Sequence, residues 1–151
     1  MHKKKVLRIV ILALIILWML VVFGLSNQNG DDSSSLSTKI AQFFFSDEKA
    51  QIAEPYIRKL AHLSEYAAGG VLFLSLFLTY NFSEIKKLAF SILVGFEYAV
   101  IDEIHQLFVD GRAGKILDVC IDTIGVTIGV CVTMIISKIF SKKVACRNRK
   151  I

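Results

Sequence analysis

The chain has 151 residues, which is enough for one domain, and 54% of them are hydrophobic, above the share that is usual for a soluble domain. The formal net charge is +5, with 18 basic and 13 acidic residues. The basic residues lie at the chain ends and between apolar blocks and form no stripe interleaved with aromatic residues, a distribution that disfavours nucleic-acid binding. We expect residues 1–151 to form a single membrane domain whose partner is the lipid bilayer.

The first apolar block covers residues 6–25 and follows three consecutive lysines. Signal peptides also have a basic start and an apolar run, but their apolar core has only about 7–15 residues. This block is about twenty residues long, the length that a helix needs to cross a bilayer. No Ala-x-Ala-like cleavage site follows it, so the block predicts a retained transmembrane helix.

Residues 26–57 are predicted to form a polar outer loop. Within it, residues 29–35 are rich in Asn, Gly, Asp and Ser, a composition typical of a mobile turn. Residues 36–45 predict a short interfacial helix that places the three phenylalanines at 43–45 on the membrane surface. Pro55 is the only proline, and we expect it just before the next helix, since proline is tolerated in the first helical turn.

Three further apolar blocks predict transmembrane helices over residues 58–80, 88–108 and 116–140. The connections between them are short, so consecutive helices are expected to lie antiparallel. The predicted fold class is all-α, an integral membrane bundle of four transmembrane helices, and an even number of spans leaves both termini on one side. The protein is accordingly expected to be a multi-pass membrane protein.

Lysine and arginine predict the orientation of the bundle. With the N-terminus in the cytoplasm, the outer segments hold 6 of the 18 basic residues and the cytoplasmic segments hold the other 12. Because cytoplasmic loops carry the excess of Lys and Arg, this count predicts that both termini are cytoplasmic. The cytoplasmic set includes Arg147, Arg149 and Lys150, and the outer set comprises Lys39, Lys49, Arg58, Lys59, Arg112 and Lys115.

Polar residues recur at spacings of three and four along the second and fourth predicted helices, so each set lies on one helix face. The third helix carries another set near its outer end, with Glu97 deeper. The ligand-binding candidates from these sets and the turn at 109–115 are Arg58, His62, Glu65, Tyr66, Asp102, Glu103, Gln106, Arg112, Asp118 and Asp122. The fourth helix continues with Gly125-x-x-x-Gly129, a spacing that lets two helix backbones approach closely.

The acidic residues of these sets and His62 fall at one depth, within about 11 Å, or two helical turns, of the outer surface. Counting the deeper Glu97, six carboxylates have four basic partners at that level, namely Arg58, Lys59, Arg112 and Lys115. Charged groups inside a membrane are expected to be paired or to face water. The deficit of two positive charges leaves room for a proton, a metal ion or a cationic group of a ligand.

The sequence at residues 58–66, Arg-Lys-Leu-Ala-His-Leu-Ser-Glu-Tyr, resembles the first signature of the VanZ-like family. Residues 102–118 are similar to the second signature of that family, and the glycines at 125 and 129 continue its pattern. Together the motifs span residues 58–129, and the predicted four-helix layout matches the family over most of the chain.

Two residues depart from the family pattern: Asp122 stands where asparagine is common, and Asp110 where a proline is common before Gly-Arg. The resemblance implies a plasma-membrane protein of the bacterial envelope, linked to low-level teicoplanin resistance, that acts on the envelope or on lipophilic glycopeptides. It implies no particular reaction, so the question of whether the chain is an enzyme stays open.

Three functions are compatible with these observations. The favoured one is a non-catalytic protein that contributes to glycopeptide (teicoplanin-type) or envelope-stress resistance by binding an amphiphilic glycopeptide or a lipid-linked envelope precursor in an outward-facing polar pocket. The first alternative is a membrane-embedded hydrolase or transferase acting on a lipid-linked phosphate, whose catalytic candidates are His62, Glu65, Asp102 and Glu103. The second is a small proton-coupled transporter, for which Glu97 is the candidate step past the midplane.

Some of the candidate residues admit both a chemical and a structural role. His62 and Glu65 form either an acid–base pair or part of a metal site, or else a polar contact between helices. Arg112 either grips an anion in a fork or closes the turn through a salt bridge to Glu103 or Asp118.

The nitrogen and sulfur ligands that zinc prefers are scarce in this pattern. Only His62 and His105 supply nitrogen at the polar level, and His105 is expected to be interfacial. Cys120 and Cys131 are about 16 Å apart on a helix, too far for a disulfide, and all three cysteines are expected to be free thiols. A hard cation such as calcium or magnesium suits the carboxylates better than zinc, but the sequence assigns no metal ligands and no cofactor.

Overall fold

The structure is a computed structural model that describes residues 2–148. Within this range it contains five α-helices: α1 (His2–Ser26), α2 (Gly30–Gln42), α3 (Asp47–Leu78), α4 (Glu84–Gln106) and α5 (Ile116–Asn148). The predicted all-α class is confirmed. Arg149, Lys150 and the side chain of Arg147 lie outside the described residues, so their part in the lysine and arginine count stays a prediction.

Of the five helices in the described range, three are long and apolar enough to cross a membrane: α1, α3 and residues 116–143 of α5. α4 has 23 residues, but it carries Glu97, Asp102 and Glu103 within its apolar stretch. The structure therefore has three candidate spans, and the fourth predicted span stays a prediction.

Residues 26–57 do not form the predicted outer loop, because α2 and the first part of α3 lie there. The side chain of Asn29 accepts a hydrogen bond of 2.8 Å from the backbone N of Asp32 and so caps the first turn of α2. The segment predicted as a mobile turn is thus the start of a capped helix. The interfacial helix predicted at 36–45 is the second half of α2, which ends before the three exposed phenylalanines at 43–45.

Small residues explain why the start of α2 was missed. Its buried face consists of Ser33, Ser37 and Ala41, and α2 packs against α3. The hydroxyl of Ser37 donates to the backbone O of Ser33 at 3.1 Å, so burial leaves it satisfied within the helix. A face built from serine and alanine gives no hydrophobic periodicity for a sequence pattern to detect.

α3 begins at Asp47 and not near residue 58 as predicted. Asp47 and Glu48 lie in its first turn, where acidic side chains interact favourably with the positive end of the helix dipole. Ala50 is fully buried, so this polar first part of α3 is stabilised by packing. Pro55 consequently lies inside the helix and not just before it.

Two glycines allow α5 to pack closely on α3. A Cβ atom on Gly125 would collide with the carbonyl of Leu63, and one on Gly129 with the carbonyl of Ala67. The close backbone approach predicted from the Gly-x-x-x-Gly spacing is confirmed. This contact also determines the helix register that places Asp122, three residues before Gly125, beside α3.

An aromatic core fills the middle of the bundle. The Trp18 ring centroid lies 5.8, 5.5 and 5.1 Å from those of Tyr66, Phe73 and Tyr98. Trp18 Nε1 donates to the backbone O of Glu65 at 2.9 Å, and the Tyr98 hydroxyl donates to a carbonyl of α1 at 2.7 Å. Both buried ring donors are therefore satisfied.

The aromatic core separates two polar ends of the bundle. At the terminal end, where α1 and α4 begin, Arg8 donates to the backbone O of Thr79 at 2.7 Å and Lys138 pairs with Glu84 at 2.8 Å. At the cluster end, α1 and α4 end and α5 begins. The polar residues singled out in the sequence lie at the cluster end.

Candidate functional site

Polar residues from three helices meet at the cluster end. α3 supplies them from its middle, α4 from its last two turns and α5 from its first two turns, and α5 packs against both of the other helices. We call this group the polar cluster; it consists of His62, Glu65, Asp102, Glu103, Gln106, Asp118 and Asp122.

The centre of the polar cluster is formed by His62, Asp102 and Asp122, one residue from each helix. Each offers one side-chain nitrogen or oxygen atom, and these three atoms lie within 4.8 Å of one another. His62 Nδ1 is 3.7 Å from Oδ1 of Asp122, whose side chain is 0% exposed. Among the described residues, Asp122 and not Glu65 is thus the carboxylate within ion-pair distance of His62.

Gln106 orients the carboxylate of Asp102. Its Nε2 atom donates a hydrogen bond of 3.2 Å to Oδ2 of Asp102, one helical turn earlier on α4. The two residues are only 4% and 3% exposed. Because this bond uses Oδ2, the Oδ1 atom of Asp102 is left for the centre of the cluster.

Glu103 follows Asp102 in the chain, but its carboxylate contacts a different part of the structure. Its Oε2 atom accepts a hydrogen bond of 2.7 Å from the backbone N of Lys115, just before α5. Adjacent helical residues point about 100° apart, so the carboxylates of Asp102 and Glu103 face different parts of the structure. Glu103 therefore ties the end of α4 to the start of α5.

Backbone carbonyls bind the side chain of Arg112. Its Nε atom donates to the O atom of Gln28 at 3.1 Å, and an Nη atom donates to the O atom of Leu25 at 3.3 Å. The last carbonyls of a helix have no partner within that helix and attract cations, which explains this choice at the end of α1. The predicted salt bridge from Arg112 to Glu103 or Asp118 is wrong for the described residues.

The surroundings of Arg112 are buried and partly basic. Burial lowers the pKa of its guanidinium from the ordinary value, and the charge of Arg58 lowers it further, while Asp102 and Glu103 act in the opposite direction. Two of its donors are already used by carbonyls, so Arg112 serves first as a clamp between α1 and the α4–α5 connection.

The α4–α5 connection also contacts α2. Gly30 N, in the first turn of α2, donates to Asp110 O at 3.2 Å. Gly111 has a φ of +72°, a conformation that favours glycine, and its backbone lies against Gly30. These contacts hold the connection over the polar cluster.

A polar cavity of about 160 Å³ lies beside the centre of the cluster. Both signs of charge occur on its wall, which is formed by Arg58, Lys59, His62, Gln106, Arg112, Lys115, Asp118 and Asp122 together with small or apolar residues. A smaller cavity of about 80 Å³ faces α2 and includes Glu65 and Asp102. An apolar groove of about 370 Å³ between α4 and α5 shares Lys115 with the polar cavity.

Two ligand-binding candidates have structural contacts of their own. Arg58 lies 3.6 Å from Glu54 and donates to the hydroxyl of Ser34 at 3.3 Å, so it links α3 to α2. Tyr66 is fully buried in the aromatic core, beside the cluster.

Glu97 and His105 do not join the polar cluster. Glu97 is exposed on the outside of α4, so it does not lie on the interior path for which the sequence suggested it. The ring of His105 packs against Phe23 with a centroid distance of 4.4 Å. The interfacial position of His105 stays a prediction.

Several buried polar atoms of this region have no hydrogen-bond partner within the described part of the chain. They are His62 Nδ1, Tyr66 OH, Asp102 Oδ1, Glu103 Oε1, Asp118 Oδ1 and both carboxylate oxygens of Asp122. Buried polar side chains normally have at least one partner. The Tyr66 hydroxyl lies close to Asp102, so the atoms most available to a ligand are both oxygens of Asp122 and Nδ1 of His62.

Lys59 and Lys115 line the polar cavity although the sequence pattern did not place them among the ligand-binding residues. They were recognised only as possible partners for the acidic residues. Their predicted position at the same level of the bundle as the acidic residues was the sequence feature that could have identified them as cavity residues.

The chain matches the model of the VanZ/LLP1 family over residues 11–137. This range includes all residues of the polar cluster, the whole of α3 and most of the two other apolar helices that can cross a membrane, α1 and α5. No curated protein and no solved structure matches the chain at a significant level. The match covers most of the chain, and the chain therefore belongs to the VanZ/LLP1 family.

Proposed function

We propose that this VanZ-like protein binds the polar group of an amphiphile in the polar cavity and contributes in this way to glycopeptide (teicoplanin-type) or envelope-stress resistance. The proposal includes the plasma membrane as location, residues 88–106 of α4 as a fourth span, and both termini in the cytoplasm. The cluster end then faces outward. The polar cavity at that end, with basic and acidic side chains on one wall, is the observation that carries the proposal.

The size of the polar cavity limits what it can hold. Pockets for drug-sized ligands have volumes of about 300–1,000 Å³, whereas this cavity has about 160 Å³. It suits one polar group of a larger molecule and not a whole glycopeptide. Of the groups that an envelope amphiphile carries, a phosphate fits the basic part of the wall, which consists of Arg58, Lys59, Arg112 and Lys115.

The apolar groove supports an amphiphilic ligand in particular. It runs between α4 and α5, it is lined mainly by apolar residues, and Lys115 belongs to both the groove and the polar cavity. A lipid-linked phosphate would place its phosphate in the cavity and the first part of its chain in the groove.

Native mass spectrometry of the purified protein tests this binding with two probes, a polyprenyl phosphate and the polyprenol that lacks the phosphate. We expect the phosphate to bind and the alcohol to bind more weakly. Lys59→Gln removes a charge from the cavity wall and should weaken phosphate binding, whereas Lys39→Gln, an exposed lysine of α2 outside the wall, should not. Equal binding of both probes, or equal binding by the two variants, would refute the phosphate site.

The resistance role requires a separate experiment. Expression of the chain in a susceptible bacterium is expected to raise the inhibitory concentration of teicoplanin, and Lys59→Gln is expected to reduce that gain. An unchanged inhibitory concentration with the wild-type chain present in the membrane would contradict the resistance role and leave phosphate binding to its own test.

Labelling of single cysteines tests the proposed topology. In a variant without Cys120, Cys131 and Cys146, a cysteine introduced by Asp32→Cys should react with an impermeant thiol reagent added to whole cells. One introduced by Lys143→Cys should react only after the membrane is permeabilised. Labelling of position 143 from outside would overturn the orientation.

A membrane-embedded hydrolase or transferase acting on a lipid-linked phosphate is the second candidate. The buried Asp122 lies 3.7 Å from His62 on the wall of the polar cavity and favours it, because a carboxylate that moves into hydrogen-bond range when substrate binds would orient the histidine for proton transfer. Phosphate release from a polyprenyl diphosphate should then occur with the wild-type protein and be abolished in Glu65→Gln if Glu65 is the base. Unchanged release would remove Glu65 from the mechanism.

The transporter alternative has no such observation in its favour among the described residues. Glu97 is exposed on the outside of α4, and aromatic rings fill the interior beyond the cluster. Proteoliposomes are expected to show no flux of a lipid-linked phosphate, with or without a proton gradient.

A further inference from the structure

The centre of the polar cluster has the composition of a metal site. It contains one imidazole, from His62, and two carboxylates, from Asp102 and Asp122. Each residue offers one ligand atom, and these three atoms lie within 4.8 Å of one another. The three residues come from three different helices, so only the folded bundle assembles them. Sequence spacing alone assigned no metal here.

The separation between His62 and Asp122 fits two ligands of one ion better than it fits a hydrogen bond. His62 Nδ1 and Asp122 Oδ1 are 3.7 Å apart, beyond the usual range of about 2.7–3.2 Å for an N–H···O bond. Two ligands of a tetrahedral ion with bonds of about 2.0–2.1 Å lie about 3.3 Å apart. A shift of a few tenths of an ångström brings this pair to that geometry.

Buried atoms without partners provide an independent observation that points to a ligand. Both oxygens of Asp122, Oδ1 of Asp102 and Nδ1 of His62 have no hydrogen-bond partner among the side chains that the structure describes. Asp122 is 0% and Asp102 3% exposed. Two buried carboxylates without a compensating charge are costly in free energy. The guanidinium of Arg112 does not compensate them, because it donates to the carbonyls of Leu25 and Gln28.

The surroundings meet two further requirements of a metal site. Gln106 donates to Oδ2 of Asp102 at 3.2 Å and so orients the carboxylate, as outer-shell residues do around bound metals. The polar cavity reaches both His62 and Asp122, which gives an ion a path to the site. The cavity also leaves one side of the ion open to water or to a ligand oxygen.

We propose that His62, Asp102 and Asp122 bind one divalent first-row transition ion of the zinc class, with its open coordination position directed into the polar cavity. The imidazole selects this class, because calcium and magnesium take oxygen ligands almost entirely. The ion supplies the positive charge that the acidic centre lacks. This inference goes beyond the proposed function and is tested without any amphiphile, so either can fail alone.

Metal content of the full-length protein in detergent is the first test. Protein incubated with Zn²⁺ and then freed of unbound metal should retain one ion per chain by elemental mass spectrometry. His62→Gln and Asp122→Asn are expected to weaken zinc binding at least about tenfold, since even outer-shell changes cost about 10–100-fold in affinity. The matched controls His105→Gln and Glu97→Gln change the same residue types outside the site and should retain the ion.

Failure of the wild-type protein to retain zinc would overturn the proposal, as would equal retention by Asp122→Asn and Glu97→Gln.

Measurements on the wild-type protein alone cover the case in which the site variants do not fold. Co²⁺ should produce the visible absorption bands of a low-symmetry site, and Zn²⁺ should abolish them. Thermal unfolding should shift upward with Zn²⁺ and return with a chelator. A shift with Ca²⁺ or Mg²⁺ and none with Zn²⁺ would overturn the metal class, and no shift with any ion would overturn the site.

Discussion

The two polar ends of the bundle differ in how they pair their charged groups. At the terminal end, Arg8 donates to Thr79 at 2.7 Å and 3.0 Å and lies over the ring of Tyr80, while Glu84 pairs with Lys138 at 2.8 Å. At the cluster end, the buried atoms that have no partner among the described residues include oxygens of the buried carboxylates Asp102, Glu103 and Asp122. The charged groups named at the terminal end thus have partners, whereas several buried polar groups at the cluster end have none among the described residues.

This difference separates structural polarity from polarity that is available for a ligand. Within the described side chains, the buried polar atoms without partners lie in the end of α1, the first two thirds of α3, the end of α4 and the start of α5. A buried unpaired polar group costs about 1–3 kcal/mol. A fold that concentrates such groups at one end, beside a cavity, has an arrangement that ligand binding would stabilise.

Both ends of the bundle depend on the α3–α5 contact. Gly129→Val, which disrupts this contact, should have the largest effect on the free energy of unfolding. A Cβ atom at this position would collide with the backbone carbonyl of Ala67, so the helices must separate. We expect the free energy of unfolding to fall by about 3 kcal/mol, at the upper end for overpacking. Unfolding in mixed detergent micelles measures it. Gly24→Val, at a position with open space around it, is the control, and an equal loss there would show that the α3–α5 contact is not the cause.

Arg112→Ala should have the next largest effect, because it releases the α4–α5 connection from α1. The variant loses two hydrogen bonds from a charged group to Gln28 and Leu25. We expect a loss of about 2 kcal/mol, given that bonds of a charged group contribute about 1.5–3 kcal/mol. Lys115→Ala is the control in the same connection, since its side chain is exposed. Equal losses in the two variants would mean that charge and not the clamp stabilises this end.

Asp122→Asn tests whether the cluster end is unsatisfied without a ligand. In chelator, removing one of two neighbouring buried carboxylates should raise the free energy of unfolding by about 1 kcal/mol. With Zn²⁺ present the sign should reverse, because the variant loses a ligand of the ion. Asp118→Asn, which leaves the three ligand-forming residues intact, should show no reversal. If Zn²⁺ altered the free energy of unfolding of Asp122→Asn and Asp118→Asn to the same extent, the contrast between the two ends would be removed.

Glu84→Gln should have the smallest effect, since Glu84 and Lys138 are both exposed. Glu84 is the first residue of α4 and lies outside the three candidate spans. The hydrogen bond from Lys138, followed by its charge, holds the pKa of the carboxyl below its usual value. A carboxyl whose pKa is lower in the folded state stabilises the fold at neutral pH, and this contribution is lost as the pH falls through the folded pKa.

Thermal unfolding from neutral to acidic pH checks this prediction. Wild type and Glu84→Gln should differ slightly at neutral pH and converge in acid, and high salt should remove the difference. A difference that persists in acid or in high salt would show that the pair is more than an exposed ion pair.

Three of the four predicted helices agree with the structure in their main extent, because long apolar blocks are a strong signal. α5 begins at Ile116 as predicted, and α1 and α4 begin four residues earlier than predicted, at His2 and Glu84. The first part of α2 and the polar start of α3 were assigned to a loop, because their stability comes from packing small faces together and not from apolar periodicity.

For the candidate site, spacing predicted which residues share a face and a level. It did not predict partners: the Arg112 guanidinium binds carbonyls at the end of α1, and backbone groups of a distant segment leave no trace in a residue pattern. Nor did it select Asp122 over Glu65 as the carboxylate beside His62. That choice depends on the rotation of α5 against α3.

The amino-acid sequence by itself determined the helical class, the apolar blocks, the polar faces and the close-packing glycines of this protein, because each is a local pattern of side-chain size and polarity. The tertiary structure decided which polar groups are paired and which are not. His62, Asp102 and Asp122 lie on three helices, and only the register set by Gly125 and Gly129 brings their atoms within 4.8 Å. Pairing depends on distances between helices, which no single helix encodes.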